Sequence, residues 1–132
     1  MKDDNQVPNH YSINASIDWS VLDTFLALRK PGGPDPRARL IRVFLDSTPE
    51  MLNEMRSALR RSDPDSLAKT AHSMKSGSMN VGATELGSLC ASLEKTTRNG
   101  AMKGAEDLFA KLEAQYEAVV TAFRTKLTEL DT

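Results

Sequence analysis

Apolar residues recur every three or four positions along most of the chain, which is the spacing of one face of an amphipathic helix. This spacing predicts five helical stretches between residues 18 and 130, and no stretch is convincing as a strand. The longest apolar stripes belong to the second and fifth stretches. The predicted helices cover residues 18–29, 36–61, 64–80, 84–98 and 104–130.

Proline and glycine mark where these helices begin and end. Residues 31–36 contain three prolines and two glycines and separate the first helix from the second. Asp63 is a suitable N-cap for the third helix, and Gly100 closes the fourth. Pro49 falls inside the second apolar stripe, so we expect it to kink that helix or to split it in two.

Long amphipathic helices joined by short loops favour an antiparallel bundle. We therefore predict an all-α fold, an antiparallel four-helix bundle with an additional short N-terminal helix. Residues 1–15 are polar and lack the apolar spacing, so we predict a flexible N-terminal tail followed by one domain at residues 16–132. We interpret His10, which falls in the tail, as a solvated residue.

Composition narrows the classes of function. The 132 residues suit a single domain, and a net charge of −1 provides no basic excess for nucleic-acid binding. There is no apolar run long enough to span a bilayer and no signal peptide, so we expect a cytoplasmic monomer with no direct membrane contact. The single cysteine, Cys90, suits a reducing compartment and falls on an apolar helix face, which indicates a core residue.

The third predicted helix carries the residues that suggest chemistry. On a helical wheel His72 points away from an apolar side formed by Leu67, Thr70, Ala71, Met74, Ser78 and Val81. The residues within about 60° of His72 on the wheel are Ala68, Lys69, Lys75, Ser76 and Met79.

Two properties of this face favour a functional His72. The small neighbours Ala68 and Ser76 leave the ring open to a large partner, and the lysines would stabilise an anion on it. From these residues alone, a functional histidine and a merely solvated one are about equally supported. Met79 projects beside the ring, either as an incidental exposed residue or as part of an apolar docking patch.

Glu94 lies at the edge of the apolar stripe of the fourth helix, one residue after Leu93. A carboxylate there can reach across to a neighbouring helix. If it accepts the Nδ1–H of His72, it fixes the tautomer and leaves Nε2 as the nucleophile. By spacing alone, a solvated acidic residue is the simpler interpretation. The histidine, cysteine and glutamate side chains do not form the paired ligands of a bundle metal site, so we predict no metal.

Residues 71–83, AHSMKSGSMNVGA, resemble the signature of histidine-containing phosphotransfer domains. That signature has an alanine, the phosphorylated histidine, a Leu or Met two positions later, a lysine, small residues, an aliphatic residue, glycine and alanine. The resemblance extends over about residues 16–130. Its continuation places Leu86, Cys90, Leu93 and Glu94 where the family has Leu, Cys, Leu and Glu.

The chain departs from this signature at two positions. Ser76 stands where the family most often has glycine, and Met79 is bulkier than the small residue expected there. Serine is short enough to keep the histidine accessible. The departures bear on how tightly a partner docks and on which partner is chosen.

The resemblance implies a relay protein that accepts a phosphoryl group from a receiver-domain aspartate on His72 and passes it to another receiver. Glu94 would hold the ring, and Lys75, assisted by Lys69, would stabilise the phosphoryl oxygens or the acidic receiver pocket. The receiver would dock over Ala68, Lys69, Ser76 and Met79. The resemblance implies no cofactor and no kinase activity of the chain itself, and any magnesium ion would belong to the receiver.

Two other hypotheses stay open. The domain could be phosphorylated directly by the ATP-binding module of a histidine kinase, or it could bind receivers without carrying phosphate. The identity of the phosphoryl donor separates the first hypothesis from the relay. The second leaves His72 without a role. The partner receivers could belong to a hybrid sensor kinase.

Overall fold

The computed structural model describes residues 15–131, and His10 lies outside this range with the rest of residues 1–14. Within the described range, Ile17 and Ala83 form an isolated antiparallel bridge, and no helix is long and apolar enough to cross a bilayer. The α-helices of this range are α1 (Trp19–Asp23), α2 (Pro36–Arg60), α3 (Pro64–Asn80), α4 (Thr84–Arg98) and α5 (Ala105–Leu130).

The four long helices form the bundle. Each of α2, α3 and α4 packs against the next helix in the chain, and α5 packs back against α2. The predicted all-α four-helix bundle with a short N-terminal helix is therefore confirmed. Phe123 meets Phe44 edge-on across the core, with ring centroids 5.4 Å apart. The largest fully buried apolar side chains are Leu22, Ile41, Met55, Leu67, Met74, Leu86, Leu93, Leu112, Val119 and Phe123.

The first helix is shorter than predicted. α1 ends at Asp23 and the chain continues as a 3-10 turn over Thr24–Leu28, so the expected single helix over residues 18–29 is wrong. Leu22 is buried, but Leu28 is 69% exposed. Short helices depend on tertiary packing for their stability, and no residue of Thr24–Leu28 is buried.

α2 continues without interruption past Pro49. The proline therefore does not split the helix in two, which was one of the two outcomes predicted for it. The preceding residue, Thr48, is buried, and its hydroxyl donates to the carbonyl of Phe44 at 2.7 Å. The same hydroxyl lies 2.9 Å from the hydroxyl of Tyr116 on α5. These contacts hold the helix on the core next to the position where proline removes one backbone donor.

The bounds of α3 and α4 agree with the sequence prediction. Asp63 caps α3 by accepting a hydrogen bond from the backbone N–H of Ser66 at 3.1 Å. After α3, Gly82 has a φ of +80°, and the carbonyl of Asp18 lies so close that no Cβ would fit there. This tight turn returns the chain and places α4 antiparallel against α3.

Candidate functional site

The apolar side of α3 packs into the core and turns His72 toward solvent. Leu67, Ala71 and Met74 are fully buried, whereas the His72 side chain is 56% exposed. Thr70, expected on the buried side, is half-buried. The periodicity of the sequence therefore predicted the orientation of this helix correctly.

Glu94 on α4 contacts the His72 ring. Its Oε2 lies 2.9 Å from Nδ1, and its side chain is only 7% exposed. An ionised carboxylate only accepts hydrogen bonds, so this contact assigns the ring proton to Nδ1. Nε2 then keeps its lone pair on a ring that is open to solvent. The contact suggested by the sequence is present.

Two cations share the same carboxylate. Lys75 Nζ lies 3.2 Å from Oε1 of Glu94, and the Arg98 guanidinium pairs with Oε2. One buried negative charge therefore faces two positive charges, which leaves an excess of positive charge beside His72. Lys75 and Arg98 are 34% and 63% exposed. Both side chains therefore have room to reorient toward an arriving anion.

Arg98 was not among the residues predicted from the sequence. It lies four residues after Glu94 on the same helix, the spacing at which acidic and basic side chains pair along a helix surface. That spacing was the signal that could have found it. Arg98 lines two surface hollows that His72 also lines.

One hollow, of about 580 Å³, is lined by His72, Asp65, Ala68, Lys69, Ser73 and Arg98. Lys69 is exposed and lies 3.2 Å from the carboxylate of Asp65, a neighbour that sequence analysis also missed. Our prediction that Ala68 is exposed is wrong, because its relative exposure is 6%. Its short methyl group lines the same hollow as the longer side chains of His72 and Arg98.

On the other side of His72, Ser76 is exposed and Met79 is 49% exposed. The predicted docking residues thus flank the ring along one side of α3, with Ala68 recessed among them. We call this surface the His72 face, and its residues are Ala68, Lys69, His72, Lys75, Ser76 and Met79.

Cys90 is fully buried on α4, as expected for a core residue. Burial raises the pKa of its thiol to about 12. The thiol therefore stays protonated at neutral pH and is a poor nucleophile. Across residues 15–131, no three histidine, cysteine or acidic side chains come together in a group that could hold a metal ion.

These features describe a helical domain with an exposed histidine whose ring is oriented by a buried carboxylate. The family model described as "Hpt domain" matches residues 39–122, which is more than half of the chain. The chain therefore belongs to the Hpt domain family, whose members take part in histidine phosphotransfer in phosphorelays.

The fold is similar to the crystal structure of histidine-containing phosphotransfer protein B (HptB) from Pseudomonas aeruginosa PAO1. The two chains are 29% identical, with a TM-score of 0.79, and the match covers 86% of this chain and 96% of HptB. A comparison with curated protein sequences gave no match. The similarity to HptB therefore extends over nearly the whole of that structure.

Proposed function

We propose that the protein accepts a phosphoryl group on Nε2 of His72 from a phosphorylated aspartate of one receiver domain, and passes it to an aspartate of another. The observation that carries this proposal is the 2.9 Å contact between His72 Nδ1 and Glu94, since it leaves Nε2 free on an exposed ring. Membership of the Hpt domain family supports the class of reaction.

In the transfer step, the Nε2 lone pair attacks the phosphorus of the aspartyl phosphate in line with the leaving oxygen. An N–P bond forms as the P–O bond breaks, and the bonding electrons leave with the receiver carboxylate. The His72 ring keeps its Nδ1 proton and gains positive charge. The Glu94 carboxylate, already within hydrogen-bond distance, stabilises that charge. The reverse sequence delivers the group to a second receiver.

Lys75 and Arg98 compensate the new negative charge. Both pair with Glu94 in the unphosphorylated protein and both are partly exposed. When a phosphoryl group arrives on Nε2, each can turn from Glu94 toward a phosphoryl oxygen and form a charge-assisted hydrogen bond. Lys69, 77% exposed at the edge of the hollow, acts on the acidic pocket of the receiver.

The receiver docks over the His72 face. The reacting atoms must approach to about 3–3.5 Å, so the two protein surfaces have to meet closely around the ring. Ser76 is short enough to allow this approach, and Met79 supplies an apolar contact. Ala68 contributes as a recessed methyl group in the hollow.

We further propose that the protein works as a cytoplasmic monomer whose partners are receiver domains, including those of hybrid sensor kinases. It carries no cofactor and has no ATP-dependent kinase activity of its own, and magnesium is supplied by the receiver. The single cysteine of the chain, Cys90, suits a reducing compartment.

A phosphotransfer screen tests the proposal and identifies the donor. The full chain is incubated with each phosphorylated receiver domain of the same organism and, in parallel, with ATP and isolated kinase ATP-binding modules. We expect transfer from at least one receiver at short times and no labelling by a kinase module alone. Labelling by ATP and a kinase module without a receiver would support direct phosphorylation instead. Receiver binding without transfer would support a pure interaction module.

A further inference from the structure

Met79 on α3 lies against Gly87 on α4. A Cβ atom at position 87 would be 2.5 Å from Sδ of Met79 and 3.1 Å from its Cγ. The thioether therefore occupies the space that the side chain of any other residue at position 87 would need. Gly87 is buried, whereas Met79 is half exposed, so the methionine lies over the backbone of α4 with its outer side free.

The backbone itself does not require glycine at position 87. Its φ is outside the left-handed region, and the nearest backbone atom of a neighbouring element to an added Cβ is the carbonyl oxygen of Lys75, at an ordinary contact distance of 3.8 Å. Glycine is also less favourable than alanine within a helix. The feature of the structure that accounts for Gly87 is therefore the Met79 side chain that lies on it.

Met79 follows His72 by two helical turns on the His72 face. We propose that Gly87 is a positioning residue for receiver recognition: by leaving room on α4, it lets the Met79 thioether lie close to the backbone of α4 on the His72 face, where an apolar receiver side chain packs against it. This inference rests on the proposed receiver docking. Under this inference Gly87, which lies outside the His72 face, determines the shape of that face.

The substitution Gly87→Ala tests the inference. The added methyl group would clash only with Sδ and Cγ of the flexible Met79 side chain, so a change of its rotamer can move Met79 away without a change of backbone. We expect an unchanged or raised melting temperature, a shifted NMR signal of the Met79 ε-methyl group, and a dissociation constant for the receiver about three- to tenfold higher. The probe is the receiver that transfers fastest in the screen described above.

Gly77→Ala is the matched control. Gly77 lies within α3, and an added Cβ there meets nothing within 4 Å. This variant makes the same change of helix propensity without contacting Met79. We expect it to leave both the Met79 methyl signal and the dissociation constant unchanged.

A double-mutant cycle separates positioning from packing. In a Met79→Ala background the added methyl group at position 87 has nothing to displace, so Gly87→Ala should change the dissociation constant less than twofold. An equal loss of affinity in both backgrounds would show that Gly87 acts through helix packing and would overturn the inference. An unchanged affinity for Gly87→Ala, with weaker binding of Met79→Ala, would overturn it while leaving the docking face intact. If Met79→Ala has no effect on binding, the docking contribution of Met79 fails, and this inference fails with it.

Discussion

Replacing Glu94 with alanine removes the hydrogen-bond acceptor of the His72 ring. Without the 2.9 Å contact to Nδ1, the ring can rotate and can place its proton on either nitrogen. Loss of an orienting partner of this kind typically costs about ten- to a hundredfold, or about 1.4–2.7 kcal/mol of transition-state stabilisation. We expect the rate of transfer from the phosphorylated receiver to fall by that factor.

The effect on folding should be smaller. Lys75 and Arg98, which lose their partner in Glu94→Ala, are 34% and 63% exposed and can be hydrated. We therefore expect a loss of about 1–2 kcal/mol in the free energy of unfolding. Glu94→Gln should slow transfer less than Glu94→Ala does, because its amide oxygen still accepts a hydrogen bond from Nδ1. The neutral amide cannot offset the positive charge that forms on the ring.

Rapid-quench, single-turnover measurement of phosphoryl transfer at saturating receiver isolates this effect from docking. Glu85→Ala is the control, because Glu85 is an exposed acidic residue on the same helix and its removal changes the net charge equally. We expect the transfer rate to be highest for the wild type and Glu85→Ala, lower for Glu94→Gln and lowest for Glu94→Ala. If the rates of Glu94→Ala and Glu85→Ala agree within twofold, Glu94 has no part in orienting His72.

Three further changes test other parts of the account. Lys75→Ala should slow transfer about tenfold through loss of one charge-assisted contact, with little change in melting temperature; a normal rate would remove Lys75 from the site. Ser76→Arg should block docking by volume and weaken receiver binding at least about tenfold in calorimetry, whereas the exposed control Ser92→Arg should bind normally. Asp35→Asn should lose about 1 kcal/mol of stability at neutral pH, allowing for solvent screening.

The last of these predictions depends on pH. The hydrogen bond from Arg37 holds the pKa of Asp35 at about 2, below its ordinary value of 3.8. The carboxylate therefore contributes stability above pH 3.8, and that contribution is lost as the pH falls from 3.8 through about 2. Chemical denaturation between pH 2 and 6 should show the wild type and Asp35→Asn converging at the acid end. If the free energies of unfolding of the two proteins differ by the same amount across this pH range, ionised Asp35 is not the source of the stability difference.

Local chemistry was enough to predict much of the fold. The period of 3.6 residues determines which side chains of α3 share a face, so the outward position of His72 followed from the apolar spacing. The start of α3 followed from Asp63, because capping involves only neighbouring residues. The predicted end of the first helix was wrong, because it depends on how much of residues 18–29 the bundle can bury. That property is set by tertiary packing.

The candidate site likewise has features that the sequence predicts and features that depend on how the helices pack. The contact between His72 and Glu94 was expected from the resemblance to a family, because periodicity alone does not say which helices meet. The burial of Ala68 was missed because it depends on how α3 packs in the bundle, which the spacing along α3 does not specify. The contact between Gly87 and Met79 is likewise a property of the interface between two helices.

The most direct test of the central claim is the location of the phosphoryl group. The full chain is phosphorylated by its preferred receiver, and the modified residue is mapped by mass spectrometry under alkaline conditions. We predict one acid-labile, alkali-stable phosphoryl group on His72, and no label on His72→Gln, whose helix content by circular dichroism should equal that of the wild type. Label that persists in His72→Gln, or that is abolished by His10→Gln instead, would contradict the account.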